Sequence, residues 1–295
     1  MAMRESFGDK IFLRIVNAVL LVIFVIMFYP LIYVLSASFS TPHAVVSGKV
    51  WLWPVEPTLM GYQSVFRNPY ILSGYANSLF YALFGTIINV VVTVLAAYPL
   101  SRREFMPRNV IMALMVFMML FNGGLIPTYI LVKNLGMVNT RWAMLLPQAM
   151  AVWNVILTRT YFMSAIPEQL HECAVLEGCS EFRYVTSMLV PLSKPILAVI
   201  ALYYAVFHWN SYFQALIYLQ TKELFPLQIV LREILILNSF NPEMMINADE
   251  MMRRQGLEDL LKYALIVVAT LPVLALYPFI QKYFIRGIMI GSLKG

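Results

Sequence analysis

Few side chains in this sequence are spaced for covalent chemistry. The three histidines, His43, His171 and His208, stand far apart, and no His-Glu-x-x-His pair occurs to put two imidazoles and a base on one helix face. There is no Gly-x-Ser-x-Gly elbow for a nucleophile and no Gly-x-x-x-x-Gly-Lys-Ser/Thr loop to cradle a nucleotide. A different chemistry is better represented. Asn89, Asn122, Asn154 and a dense group at His208, Trp209, Asn210, Ser211, Tyr212 and Gln214 all fall in otherwise apolar stretches. On a helix, Tyr203, Phe207, Asn210 and Gln214 share one face, and Tyr204, His208 and Tyr212 share another. Rings cover the C–H faces of a polyhydroxylated molecule while amides exchange hydrogen bonds with its hydroxyls. His208, Trp209, Asn210, Tyr212 and Gln214 are therefore the candidate ligand path. The same amides could instead bond one helix to the next.

The elements that carry these residues follow from where charge is missing. Of 295 residues, 61% are hydrophobic and 12% are charged, about half the charged share of a soluble domain. Six stretches contain no Asp, Glu, Lys or Arg: Ile15–Gly48, Asn68–Ser101, Asn109–Val132, Trp142–Thr158, Pro195–Thr221 and Tyr263–Gln281. A helix needs about 20 apolar residues to cross a bilayer, and a soluble helix must keep one face wet. The expected fold is thus an all-α integral membrane protein, one transmembrane domain over residues 1–295, with spans near 15–38, 78–100, 109–132, 142–162, 196–219 and 262–282. The alternation of a membrane β-barrel is absent. The first apolar run is too long for a secretion signal, so a retained first span is expected.

Basic residues set the orientation. Arg4, Lys10 and Arg14 precede span one, Arg102, Arg103 and Arg108 join spans two and three, and Lys282, Arg286 and Lys294 follow span six. The positive-inside tendency then places both termini in the cytoplasm. Arg159, near the inner end of span four, is expected to snorkel to that surface. A net charge of +6 is modest for such a protein and gives no case for nucleic acid. Cys173 and Cys179 lie in one inner segment and are expected to be reduced thiols. Outside, Trp51 and Trp53 suit the headgroup level, and 221–261 forms a long outer loop.

The one sizeable inner loop, 163–194, reads as a helix–turn–helix. Pro167 and Glu168 suit a first turn, Gly178 a left-handed closure, and Ser180 an N-cap; Pro191 and Pro195 stop the pattern. Leu170, Cys173, Ala174 and Glu177 share a face through i, i+3, i+4 and i+7 spacing, and are expected to form a knob against another protein.

Glu172, Cys173 and Ala174, then Gly178, then Leu189, Val190, Pro191 and Pro195 resemble the Glu-Ala-Ala, Gly, Leu-Pro coupling motif of permease subunits in bacterial ATP-binding-cassette (ABC) importers. The likeness runs nearly end to end with sugar-importer permeases related to the second maltose permease subunit. It includes Gly123–Tyr129, His208–Asn210, Pro226–Gln228, Leu231–Glu233 and the ending Gln281–Gly295. Cys173 and Cys179 stand where Ala is common, and Glu177 where Asp is common.

The resemblance implies a multi-pass, non-catalytic subunit of the bacterial cytoplasmic (inner) membrane. Its partners would be a second permease, two ATPase subunits that hold the ATP and Mg, an extracytoplasmic sugar-binding protein and membrane lipid. It assigns ATPase coupling through 168–191 to Glu172, Cys173, Ala174, Glu177, Gly178 and Pro191, and a further ATPase contact to Gly291, Ser292, Leu293 and Lys294. The implied cargo is an oligosaccharide, with acidic alginate- or pectin-derived fragments and neutral oligomers both open. A membrane-embedded enzyme or a channel is the alternative.

The orientation is open to test. A cysteine introduced at Ser47 is expected to react with an impermeant thiol reagent in intact cells, whereas Cys173 and Cys179 are expected to react only after permeabilisation. Labelling of the native pair in intact cells would reverse the assignment.

Overall fold

The computed structural model describes residues 7–121, 123–234 and 259–275 and the single positions 256, 278 and 281. Among them the regular structure is helical, with no strand. The chain divides into two compact units, one of residues 1–69 with 231–271 and one of residues 70–230 with 272–295.

In the first unit, α1 (Phe7–Ser38) is long and apolar enough to cross a membrane and buries only its last turn, Ser36, Ala37 and Ser38. The short α2 (Pro42–Val46) and α3 (Met60–Arg67) follow. Ala37, Ala44, Val45 and Val50 form a small core, with Tyr33 packed edge-on to Tyr263 at 5.7 Å. Side chains close the irregular chain between them. Ser36 Oγ donates to the Leu52 carbonyl at 2.6 Å, and Ser40 Oγ accepts from the Val55 amide at 3.0 Å. Trp51 and Trp53 are exposed, as headgroup anchors would be.

The second unit is organised on α4 (Pro69–Ser101), also long and apolar enough to cross a membrane. Its buried face carries Asn77, Tyr81, Gly85, Asn89, Thr93 and Ala97, each four residues from the last, with Ser78 beside them. Each four-residue step turns by about 40°, so the buried stripe winds slowly around α4 from one end to the other.

The remaining elements are shorter than the charge-free runs that contain them. The run near 109–132 is divided into α5 (Arg108–Leu120) and α6 (Leu125–Asn134), and Gly124 between them has φ +88°. The run near 142–162 becomes α7 (Trp142–Leu145) and α8 (Val152–Ala165). After the inner-loop helices α9 (Glu168–Leu176), α10 (Glu181–Tyr184) and α11 (Val190–Leu192), the run near 196–219 becomes α12 (Lys194–Trp209) and α13 (Tyr212–Tyr218). α14 (Leu227–Arg232) is short. At about 1.5 Å per residue none of the pieces from α5 to α13 reaches the roughly 30 Å of a hydrocarbon core alone. Three expected spans are therefore broken helices. The run near 262–282 is helical over 259–275, and part of its remainder lies outside the described residues.

Non-helical backbone in an apolar setting must find partners within the protein. The α4 stripe supplies them. Asn89 Nδ2 donates to the Gln148 carbonyl at 2.8 Å in the α7–α8 break, and the Ala151 amide donates to Tyr204 Oη at 3.1 Å. Tyr204 is itself tied to Thr93 at 2.7 Å. Farther along, Asn77 Nδ2 donates to the carbonyls of Glu223 and Phe225, Tyr81 Oη donates to that of Leu224, and Ser78 Oγ accepts from the Leu227 amide. At Gly85 the His208 ring of α12 comes close to the α4 backbone, since a Cβ there would sit 2.4 Å from His208 Nε2.

Gly85→Ala is expected to destabilise the folded chain by about 1–3 kcal/mol, the usual cost of overpacking. The check is the melting temperature and yield of the detergent-purified protein; a wild-type melting temperature would show that α12 yields freely at this contact.

Candidate functional site

The 163–194 loop folds as a clamp on the ends of α4 and α8. α4 finishes with carbonyls that have no helical partner, and cations collect there, as the negative end of a helix dipole favours. Arg159 Nε donates to the Leu100 carbonyl at 2.8 Å, so its charge caps α4 instead of simply reaching for the surface. Arg108 Nη1 donates to the Arg102 carbonyl at 3.0 Å. The Arg102 guanidinium lies over the rings of Tyr98 and Tyr184, 5.4 and 5.5 Å from their centres.

α9 begins at Glu168, with Pro167 as an extended residue before it, and Arg103 pairs with Glu168 at 3.6 Å. The helix ends in a Schellman motif. Gly178 has φ +72°, the Cys179 amide donates to the Ala174 carbonyl at 2.9 Å, and the Gly178 amide donates to that of Val175 at 2.9 Å. α10 starts on the expected N-cap, with Ser180 Oγ accepting from the Arg183 amide at 3.4 Å. The helix then widens to a π turn over Val185–Leu189, with the Val190 amide bonded back to the Val185 carbonyl. Pro191 offers no amide and would press on the carbonyl four residues earlier, which a wider turn relieves. At Ser193 the axis bends by 84° into α12, which has Pro195 in its first turn.

One residue that spacing did not single out holds the loop together. His171 is buried, with Nε2 3.0 Å from Glu181 Oε1 and its ring edge-on to Tyr184 at 5.0 Å. The other oxygen of Glu181 accepts from Tyr98 Oη on α4. Burial raises the Tyr184 phenol above its ordinary pKa, more than Arg102 lowers it, so it stays protonated. Beneath it Ala174, Leu189 and Phe162 join a core with Ala97 and Leu100.

This anchoring corrects the expected outward face. Ala174 is buried and Leu170 half-buried against the chain itself, so the stripe of Leu170, Cys173, Ala174 and Glu177 does not act as one free surface. The outward side carries Glu172, Cys173, Val175, Leu176, Glu177 and Gly178, with Leu176 88% exposed; Phe182 on α10 is 79% exposed. Pro191 is exposed as well. Cys173 and Cys179 are free thiols. The 171/174 pair at i, i+3 was visible in the sequence; its partner Glu181, across the turn, was not.

The candidate ligand-path residues separate into two groups. His208 is fully buried, with Nε2 3.5 Å from Asn89 Oδ1, and Trp209 is buried edge-on to Tyr75 at 5.6 Å. These two pack α12 onto α4. Asn210 is exposed but its Nδ2 donates to the Val206 carbonyl at 2.9 Å, closing the end of α12. Tyr212 and Gln214 are half-buried on α13, while Tyr203 and Phe207 are exposed on the Asn210 side of α12. Asn154 is buried, and Asn122 and the tail Gly291, Ser292, Leu293 and Lys294 lie outside the described residues. Among the described residues no group of three or more His, Cys, Asp or Glu side chains is placed to hold a metal ion.

Comparison with known proteins gives the arrangement a context. Residues 89–290 match the family described as "Binding-protein-dependent transport system inner membrane component". The chain is 41% identical to Protein LplC of Bacillus subtilis (strain 168) over 90% of its own length and 89% of that protein. It is 39% identical to the polygalacturonan/rhamnogalacturonan transport system permease protein YtcP of the same organism, over 97% and 99% of the two chains. A solved structure, that of a bacterial ABC transporter involved in the import of the acidic polysaccharide alginate, superposes with a TM-score of 0.85 at 34% identity, covering 95% of this chain and 99% of the other. The chain belongs to the family of inner membrane components of binding-protein-dependent transport systems.

Proposed function

We propose that the chain is a six-span, N-in/C-in permease subunit of an ATP-driven oligosaccharide importer in the bacterial cytoplasmic membrane, and that the loop from α9 to α11 receives the motion of a separate ATPase. Its partners are a second permease, two ATPase subunits and an extracytoplasmic sugar-binding protein. The observation that carries this reading is the pairing of an outward apolar knob, Val175, Leu176 and Phe182, with an inward clamp of His171, Glu181 and Tyr98. Large apolar side chains left exposed on a polar loop mark a contact surface. Rigid-body coupling needs a lever that does not bend at its root. The clamp ties that root to α4, and through α4's polar stripe to the broken helices. Tyr203, Phe207, Asn210 and Gln214 then form the part of the path that this chain offers to sugar, near the α12–α13 break; His208 and Trp209 support it from behind. Resemblance alone brings the tail Gly291–Lys294 into the proposal, as a second contact with the ATPases.

For the cargo, the names of the relatives favour acidic oligosaccharides of the pectin or alginate type. Neutral oligosaccharides are the second reading. They are favoured by the fact that Arg159, the one Lys or Arg in the expected spans apart from Lys262 and Lys282 at the two ends of the sixth, is spent on the Leu100 carbonyl. ATP hydrolysis by the assembled complex, stimulated by binding protein loaded with pectin fragments, alginate fragments or neutral oligomers in turn, separates the two.

Coupling can be tested at the knob. Leu176→Asp removes its most exposed apolar side chain. Gly178→Val forces a β-branched residue into a left-handed turn at a cost of roughly 1–2 kcal/mol. Both are expected to abolish stimulated uptake while leaving membrane insertion intact, and normal uptake by both would sink the coupling role. At the path, Gln214→Leu is expected to lower uptake per assembled complex, whereas lost assembly with normal uptake per complex would make the amide structural.

A further inference from the structure

The pieces on one side of the three helix breaks are packed together. α6 follows the break at Gly124, α7 precedes the break at 146–151, and α13 follows the break at Asn210. Val132 of α6, Ala143 of α7 and Tyr218 of α13 form a small buried core, and the rings of Tyr129 and Tyr218 lie parallel with centres 6.2 Å apart. α13 has seven residues and α7 four, too few for a helix to hold itself together. Contacts with neighbours must therefore fix where these pieces stand.

One residue makes the polar part of that joint. α6 ends in a Schellman motif at Gly136, φ +68°, whose amide donates to the Lys133 carbonyl at 2.9 Å while the Met137 amide donates to that of Val132 at 3.1 Å. The chain then reaches Asn139, itself left-handed at φ +59°. Its amide donates to the Tyr218 carbonyl at the end of α13, at 2.8 Å. Its Oδ1 accepts from the amides of Gln220 and Thr221 at 2.9 and 3.0 Å, and its Nδ2 donates to Thr221 Oγ1 at 2.6 Å. Carbonyls at a helix end need partners from elsewhere, and Asn139 meets that need while holding the following residues with both ends of its side-chain amide. The position asks for two properties at once, a backbone that tolerates positive φ and a side chain that both accepts and donates. Glycine has the first and lacks the second. Beyond Thr221 the chain passes to α4, through Asn77, Tyr81 and Ser78.

We propose that Asn139 is a positioning residue of the transport path: it joins α6, α7 and α13 into one block that stays joined through the transport cycle, while the three breaks take up the changes in direction. A break has already given up helical hydrogen bonds, so bending there disrupts fewer of them than bending inside a helix. Through the block, Asn139 sets where α13 presents Gln214. The link to sugar rests on the function proposed above; the integrity of the block does not, so the two are measured separately.

The double variant Asn139→Cys with Thr221→Cys, placed in the whole transporter complex, removes the amide and offers a disulfide across the same contact. Oxidation is carried out on the nucleotide-free complex and on the complex trapped with ATP and vanadate, with the wild type as control for Cys173 and Cys179. The disulfide is expected to form to the same extent in both states. Formation in one state only, or in neither, overturns the block. With binding protein present, uptake of trigalacturonate, an alginate trimer and maltotriose into proteoliposomes is then measured per ATP hydrolysed, a ratio that misfolded complexes leave unchanged because they neither transport nor hydrolyse. Asn139→Gly, and the double variant while reduced, are expected to lower this ratio several-fold. Asn139→Asp is expected to keep it, since a carboxylate still accepts from both amides and from the Thr221 hydroxyl. Oxidation of the double variant is expected to restore it. A wild-type ratio in Asn139→Gly overturns the positioning role, as does a disulfide that stops uptake until it is reduced or leaves the ratio low. If Asn139→Gly fails to assemble, the reduced and oxidised double variant decides. A wild-type complex that carries none of the three probes refutes the importer reading, and the comparison of nucleotide states then decides the block alone.

Discussion

Backbone that leaves the helical path inside an apolar layer has no water to bond, and the second unit of this protein is arranged around that constraint. α4 answers it with a four-residue ladder of small and polar side chains along one buried stripe. Asn89 and, through Thr93, Tyr204 serve the break between α7 and α8. Asn77, Ser78 and Tyr81 serve the segment from Glu223 to Leu227. Gly85 leaves room for His208. Losing Ser78 would strand the buried Leu227 amide, at a cost of about 1–3 kcal/mol. That asymmetry makes α4 the element on which the shorter pieces depend.

The ladder also explains why broken helices are tolerable here. An unbroken span is self-sufficient in hydrogen bonds and gives nothing to a ligand, whereas a break exposes peptide groups and turns the chain sharply. Breaks near Gly124, Pro147 and Asn210 shorten the helices of this unit, and Met115 of α5, Val155 of α8 and Ala215 of α13 share buried clusters with α4. The Asn210 break belongs to the same helix whose exposed aromatic and amide face suits a polyhydroxylated cargo. The two faces of α12 differ accordingly: His208 and Trp209 are buried against α4, while Tyr203 and Phe207 are exposed.

At its other end α4 grips the inner loop. Arg159 neutralises the dipole of α4 at Leu100, Arg103 reaches Glu168, and Tyr98 meets Glu181, which also holds His171. Exposed pairs such as that of Arg103 contribute little alone. The buried imidazole and the stacked Arg102 give the joint its rigidity. α9 is thus joined to α4 through His171, Glu181 and Tyr98. The Schellman ending at Gly178 fixes where α9 stops and hence where Leu176 stands.

The presence of apolar helices, their order along the chain and the helix–turn–helix of the inner loop were legible in the sequence, because they follow from local properties. Charge-free length reports hydrocarbon compatibility, a glycine between two helical patterns reports a left-handed turn, and Ser180 before Glu181 reports a cap. Tertiary structure decided where spans break and which faces are buried. A charge-free run looks the same whether its helix is continuous or interrupted. Interruption is stable only when side chains such as Asn89, 59 residues from Gln148, supply the missing bonds. Periodicity likewise proposed a face for α9 but could not rotate it correctly, since that depended on His171 meeting Glu181 across the turn and Tyr184 beneath. Local pattern fixes what an element can bury; which part it does bury is set by partners distant in the chain.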